Sequence, residues 1–282
     1  MTVRTVAVLG AGTMGHGIAH AAVGSGYDTR LYDVSDAQLA KAHRVVEEIF
    51  KGAVALGKST AADADRAAAR LTTTNDLTAA LDGVDLVIEA APERIEIKVR
   101  LMADIDRLAP AEAIIATNTS ALSITEMAAV LARPSRVAGM HFFNPVHKMK
   151  LIEIVRALES GQEALDTIEA VARRMGKETV LVREAPGFIT TRVNASIGNE
   201  AFYMLMEGVA SAHDIDKALK LGLNHPMGPF ELVDLVGLDT RLSILEYLHR
   251  SMGEKYRPCP LLAQYVKAGR LGKKVGKGVY EY

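Results

Sequence analysis

His141, Glu153 and Ser120 are the residues of this chain whose types and settings best suit proton transfer. Glu153 lies inside the apolar run Leu151-Ile152-Glu153-Ile154-Val155, where a carboxylate costs several kcal/mol unless it is paired. A histidine is its natural partner, with one ring nitrogen held by the carboxylate and the other facing a reacting hydroxyl. His141, at the end of a strand-like run over 137–141, is the best candidate. Ser120, in Thr117-Asn118-Thr119-Ser120, could add its hydroxyl at the same substrate oxygen. Each residue also has a plainer reading. His141 could be packed or cap a helix, and Glu153 could be a surface acid on an edge strand. Ser120 could belong to a helix start, because Ser123 and Glu126 have capping-box spacing.

A second constellation opens the chain. Residues 5–9 are a short apolar, β-branched run, and Gly10-Ala11-Gly12-Thr13-Met14-Gly15 follows at once. Ile18, Ala19, Ala21 and Ala22 continue at helical spacing, and residues 27–32 read as a second strand leading to Asp33. In that register Gly10 permits a tight turn, Gly12 lets backbone approach a pyrophosphate, and Gly15 lets the helix pack on the strand. The helix N-terminus presents unpaired N–H groups to phosphate. Asp33 can accept from an adenosine ribose diol and would repel a 2′-phosphate, so NAD is expected over NADP. The plainer reading is a flavin-binding or non-binding unit of the same shape.

The elements that must position these groups follow from periodicity. Strands are expected over 71–74, 84–88, 113–116, 137–141, 151–155 and 178–182, and helices over 35–56, 61–69, 92–108 and 162–175. Such alternation predicts an α/β fold, a Rossmann-type doubly wound, mostly parallel sheet with ligands at the carboxyl ends of its strands. After Pro186-Gly187 the pattern turns helical, over 194–207, 213–221, 230–248 and 261–267, with Pro226-Met227-Gly228-Pro229 as a breaker. The expected division is a dinucleotide-binding domain over 1–185 and an all-helical C-terminal domain over 186–282.

Composition narrows the function classes. Of 282 residues 49% are hydrophobic and 24% charged, and the formal net charge is −1, so no global basic field points to nucleic acid. No apolar run has membrane-spanning length, and a strand begins too early to leave room for a signal peptide, so a cytoplasmic setting is expected. The single cysteine, Cys259, excludes an internal disulfide and reads as structural. His16, His20, His147 and His225 show no metal-ligand spacing, and no metal is expected.

The stretches VAVLGAGTMGHGIA, VIEAAPE, TNTSALSIT, HFFNPVHKMKLIEIV, APGFI, KLGLNHPMGPFELVDLVGLDT and GKGVYEY resemble the 3-hydroxyacyl-CoA dehydrogenase family, particularly its bacterial 3-hydroxybutyryl-CoA members, over essentially the whole chain. The resemblance implies reversible NAD-dependent oxidation of an (S)-3-hydroxyacyl-CoA and a homodimer formed through the helical domain. It implies His141 as acid/base, Glu153 as its orienting partner, Ser120 on the substrate oxygen and Asn144 near cofactor and substrate. Glu93, Lys98 and Asn118 join Gly10, Ala11, Gly12, Thr13, Met14, Gly15 and Asp33 on the cofactor side, with Lys274 as a further candidate. Lys51 and Lys58 are candidates for CoA, against a solvated helix end. One position departs from the family pattern: Thr191 stands where an asparagine helps hold the substrate carbonyl, and Asn194, three residues on, could replace it or be an ordinary helix residue. Two other readings stay open. One is a same-fold dehydrogenase of a non-CoA hydroxy acid or an acyl-carrier-protein thioester. The other is a non-catalytic NADH-binding structural protein, against which Ser120, His141 and Glu153 argue.

Overall fold

The apolar runs of the first half become eight strands: β1 (Thr5–Leu9), β2 (Asp28–Tyr32), β3 (Leu71–Thr74), β4 (Leu86–Glu89), β5 (Ile114–Thr117), β6 (Val137–Phe142), β7 (Leu151–Arg156) and β8 (Glu178–Arg183). The computed structural model describes residues 2–282. The strands form one sheet in the order β3-β2-β1-β4-β5-β6-β7-β8. Every neighbouring pair is parallel except β6 and β7, which run antiparallel. The sheet is thus the doubly wound, mostly parallel one that the alternation predicts. β1, β4, β5 and β6 are buried along almost their whole length, which is why they read as continuous apolar runs rather than alternating ones.

The helices of this half are α1 (Thr13–Gly24), α2 (Asp36–Ala55), α3 (Ala61–Ala68), α4 (Leu77–Leu81), α5 (Ile95–Leu108), α6 (Ile124–Ala128) and α7 (Gln162–Arg174). Ser35, Thr60, Asp76 and Ser123 cap four of them through their side chains. Two elements differ from the periodicity. α5 begins at Ile95, not at Pro92, because the Arg94 amide turns back onto the Pro92 carbonyl at 2.7 Å. The single turn-and-a-half of α4 was too short to show a period.

Two compact units result, one ending at Glu184 and the other running from Ala185 to Tyr282. The second is built of α8 (Thr190–Met206), α9 (Ala212–Gly222), α10 (Pro229–Val236), α11 (Leu238–Met252) and α12 (Pro260–Lys267). α8 starts four residues before the expected position: Gly187 and Phe188 adopt positive φ and the Arg192 amide bonds to the Gly187 carbonyl at 2.8 Å. The expected helix over 230–248 is two helices, broken at Gly237, whose φ of 107° an L side chain would strain. Phe202 and Phe230 meet edge to face at 5.2 Å in this unit's core, beside Leu245 and Leu248. No helix among the described residues is long and apolar enough to cross a membrane.

Candidate active site

The turn from β1 into α1 is shaped by its glycines. A Cβ on Gly10 would stand 2.6 Å from the Ala90 carbonyl oxygen, and one on Gly15 would stand 1.6 Å from that of Gly10. β1 and β4 stay paired up to a turn only glycine can make, at the point where the strand order reverses. A Cβ on Gly12 would meet nothing within 4 Å, so the backbone at the N-cap of α1 faces open space. No side chain caps this helix, which leaves the first-turn N–H groups around Thr13, Met14 and Gly15 available to an anion. Asp33, just past β2, accepts from the Ala11 amide at 2.8 Å and from the Ser35 amide at 3.0 Å. Each carboxylate oxygen keeps a second lone pair. Its position is thereby fixed against the turn, and the set of groups fits a dinucleotide: donors for the pyrophosphate, a rigid acceptor for a ribose diol.

The second half of the site lies at the far ends of β5 and β6. β6 and β7 are in a register that puts His141 directly opposite Glu153. His141 Nδ1 lies 2.8 Å from Glu153 Oε2, His141 is 5% exposed and Glu153 is fully buried. β7 sits between β6 and β8, so Glu153 is not an edge-strand surface acid, and His141 caps no helix. Nδ1 is thus the ring nitrogen held by the carboxylate. The Phe143 ring lies 4.6 Å from the imidazole.

Asn118, immediately after β5, accepts from the Phe142 amide at 2.8 Å and so ties the end of β5 to the residue after His141. Ser120 is half-buried two residues on, and its amide donates to Glu93 Oε1 at 2.8 Å. Thr119 Oγ1 donates to the same oxygen at 2.7 Å. Lys98 is almost fully buried, bonded to Glu89 Oε1 at 2.7 Å and lying 3.4 Å from Glu93 Oε2. Glu89 and Thr117 complete this cluster and were not singled out by sequence reasoning. Glu89 nevertheless carries the same signal as Glu153, an acid closing the apolar strand Leu86-Val87-Ile88-Glu89.

The remaining candidates are placed as follows. Asn144 is exposed in the loop after β6. Thr191 and Asn194 both lie in the first turns of α8, half-buried and three residues apart on one face. Lys51 is exposed on α2 and 3.7 Å from Glu47, and Lys58 is exposed just past that helix. Lys274 is engaged by both oxygens of Asp239 at 2.6 Å. Cys259 is buried, its thiol pushed up by desolvation. Among the described residues no group of three His, Cys, Asp or Glu could hold a metal ion.

The chain is similar to known proteins over its whole length. The family model described as 3-hydroxyacyl-CoA dehydrogenase, NAD binding domain, matches residues 5–185, and the C-terminal domain model of the same family matches residues 187–282. A probable 3-hydroxybutyryl-CoA dehydrogenase of Bacillus subtilis is 46% identical over all of this chain and 98% of its own length. A 3-hydroxybutyryl-CoA dehydrogenase of Bradyrhizobium diazoefficiens is 40% identical over 99% of this chain and 96% of its own. The crystal structure of (S)-3-hydroxybutyryl-CoA dehydrogenase from Ralstonia eutropha superposes with a TM-score of 0.95 at 42% identity, covering 100% of this chain and 99% of that one.

Proposed function

The chain belongs to the 3-hydroxyacyl-CoA dehydrogenase family, and from that premise we propose that it interconverts short-chain (S)-3-hydroxyacyl-CoA esters, 3-hydroxybutyryl-CoA first among them, with their 3-oxo esters. It is an NAD-dependent oxidoreductase. The observation that carries the chemistry is the His141–Glu153 pair, 2.8 Å apart and sealed from water on the carboxylate side.

In the oxidative direction His141 takes the proton of the 3-hydroxyl at Nε2. Glu153 holds the ring by Nδ1 and stabilises the imidazolium that forms. Ser120 donates to the same substrate oxygen as its charge changes. Bound NAD supplies the hydride acceptor. The Gly10–Gly15 turn and the α1 N-terminus would hold its pyrophosphate, Asp33 the adenosine ribose, and Asn118, Asn144, Glu93, Lys98 and Ser120 the nicotinamide side. For the CoA moiety we assign Lys51 and Lys58.

We also infer a cytoplasmic homodimer formed through the helical unit. Its support is the exposed apolar surface of that unit, where Val193, Leu221, Leu223 and Leu235 stand out to solvent. Light scattering giving the mass of one chain would remove it.

Steady-state reduction of acetoacetyl-CoA with NADH and with NADPH, repeated with free acetoacetate, tests the function. Turnover is expected with the CoA thioester and NADH, and a much lower kcat/KM with the free acid or with NADPH. Equal use of NADPH would remove the role of Asp33. Turnover of neither acetoacetyl compound would move the substrate to another acyl group or carrier.

A further inference from the structure

Two glutamates share one buried ammonium beneath the loop that carries Ser120. Glu89, at the end of β4, is fully buried. Its Oε1 accepts from Lys98 Nζ and from the Ala91 amide, both at 2.7 Å, and its Oε2 accepts from Thr117 Oγ1 at 2.5 Å. Lys98 adds a bond to the Ala91 carbonyl at 3.2 Å. Glu93 stands farther from the ammonium, at 3.4 Å, and its side chain is 42% exposed. Distance and burial together make Glu89 the principal counter-ion of Lys98.

This division of labour leaves Glu93 Oε1 for the loop, where it accepts from the Thr119 hydroxyl and the Ser120 amide. The same loop is gripped from the other glutamate through Thr117, whose Oγ1 also accepts from the Thr119 amide at 3.3 Å. Thr119 Oγ1 in turn accepts from the Leu122 amide at 3.1 Å. The backbone from Thr117 to Leu122 thus hangs on two carboxylates bridged by one lysine. A buried ammonium deprived of Glu89 must find another anion, and Glu93 is the one within reach. Closing that gap would draw Glu93 away from the Ser120 amide.

We propose that Glu89 is a positioning residue of the reaction: by taking the Lys98 ammonium it keeps Glu93 on the Ser120 backbone, and so fixes where the Ser120 hydroxyl meets the substrate. The proposal rests on the function given above, and the experiment separates the two. Glu89→Gln keeps the shape of the side chain and removes its charge. It is expected to lower kcat/KM for acetoacetyl-CoA by about 10–100-fold, the equivalent of one hydrogen bond to a charged group. Thr117→Val removes one anchor of Glu89 and the acceptor of the Thr119 amide without changing any charge, and is expected to give a smaller loss, about 3–10-fold. At saturating NADH, where any cofactor-binding effect of Glu93 and Lys98 drops out, both losses should shrink to less than about 2-fold when the substitutions are made on Ser120→Ala, because the group they position is then absent. Amide exchange at Ser120 should accelerate in both variants. A loss of the same size in the Ser120→Ala background would overturn the proposal, as would unchanged kcat/KM with unchanged Ser120 exchange. Should Glu89→Gln fail to fold, Glu89→Asp, which keeps the charge but withdraws it from Lys98, carries the same comparison. A wild-type protein inactive on every acyl-CoA would instead sink the function, while the exchange measurement would still decide whether Glu89 holds Ser120.

Discussion

At the scale of single residues, the antiparallel register of β6 and β7 is what turns two distant positions into one chemical unit. Directly opposed residues in such a ladder bring their side chains within about 4.5–5.5 Å at Cβ, close enough for an imidazole to reach a carboxylate. His141→Ala removes the proposed proton acceptor and should lower kcat by about 10²–10⁴-fold while NADH still binds. Glu153→Gln keeps a hydrogen-bonding group against Nδ1 but takes away the charge that favours the imidazolium. It should lose activity with little change in the KM for NADH. Stopped-flow turnover beside NADH fluorescence titration reads both quantities, and near wild-type turnover in either variant would remove that residue from the mechanism. The pairing was legible in part, because an acid in an apolar strand demands a partner and a strand-end histidine is a good one. The contact itself was not, since sequence spacing does not reveal which strands are neighbours. Glu89 escaped notice although it meets the same criterion, because a glutamate followed by Ala-Ala-Pro reads as a strand leaving for solvent. Lys98 likewise reads as one more charge on a solvated helix face, and only the fold shows it at 1% exposure.

At the scale of elements, α1 does two jobs whose demands differ. Its N-terminal turn needs small residues and open backbone, and the sequence states this plainly in its glycines. Its later turns pack against the loop after β6, where a Cβ on Gly17 would fall 2.9 Å from Val146 Cγ2. That face also carries His20, its ring tilted against Phe50 with centroids 4.3 Å apart and both ring nitrogens buried without a hydrogen-bond partner. Desolvation, with His147, Lys177 and His16 nearby as further cationic groups, pushes the His20 pKa down to about 4 from 6.5. The unfolded chain therefore binds one more proton than the native one between those values. Stability from this site is present above pH 6.5 and is lost as the pH falls toward 4, by at most about 3 kcal/mol. Chemical denaturation at pH 7.5, 5.5 and 4.5 should show a steeper loss for wild type than for His20→Phe. Parallel curves would show that the ring is not held neutral by the fold. Helix existence was readable from period and caps, while the break at Gly237 was not. Apolar spacing runs across it unbroken, and the positive φ that ends α10 answers to the close approach of Asp239 and Lys274, 2.8 and 3.2 Å from where a Cβ would stand.

At the scale of the whole molecule, the near balance of 33 basic and 34 acidic residues conceals a local imbalance in the helical unit. The change from alternating strands and helices to helices alone was visible along the chain, because period and β-branched runs report directly on layer architecture. Which charges end inside that helical unit was not, because amphipathic spacing ranks faces and says nothing about ion pairing. Its buried carboxylates are already committed. Asp216 accepts from the amides of Phe230 and Glu231 and from the Tyr280 hydroxyl. Asp234 accepts from the amides of Val279 and Tyr280 and from the Tyr282 hydroxyl, fastening the C-terminal tail. Arg241 is left over. It is 2% exposed, no ion pair or hydrogen bond holds its guanidinium among the described residues, and its Nε is sealed without a partner. Burial pushes its pKa down to about 10, still above neutrality, so the charge persists. Gly198 on α8 lies beside it: a Cβ there would stand 3.7 Å from that Nε, an ordinary contact, and a tighter 3.2 Å from Val233 Cγ2. A buried charge without a counter-ion opposes folding, and an apolar residue of similar length relieves it. Arg241→Met is expected to leave stability unchanged or raise it by about 1–4 kcal/mol. A urea melt reads this directly. A loss of stability in that melt would mean that the guanidinium contributes favourably to the folded state.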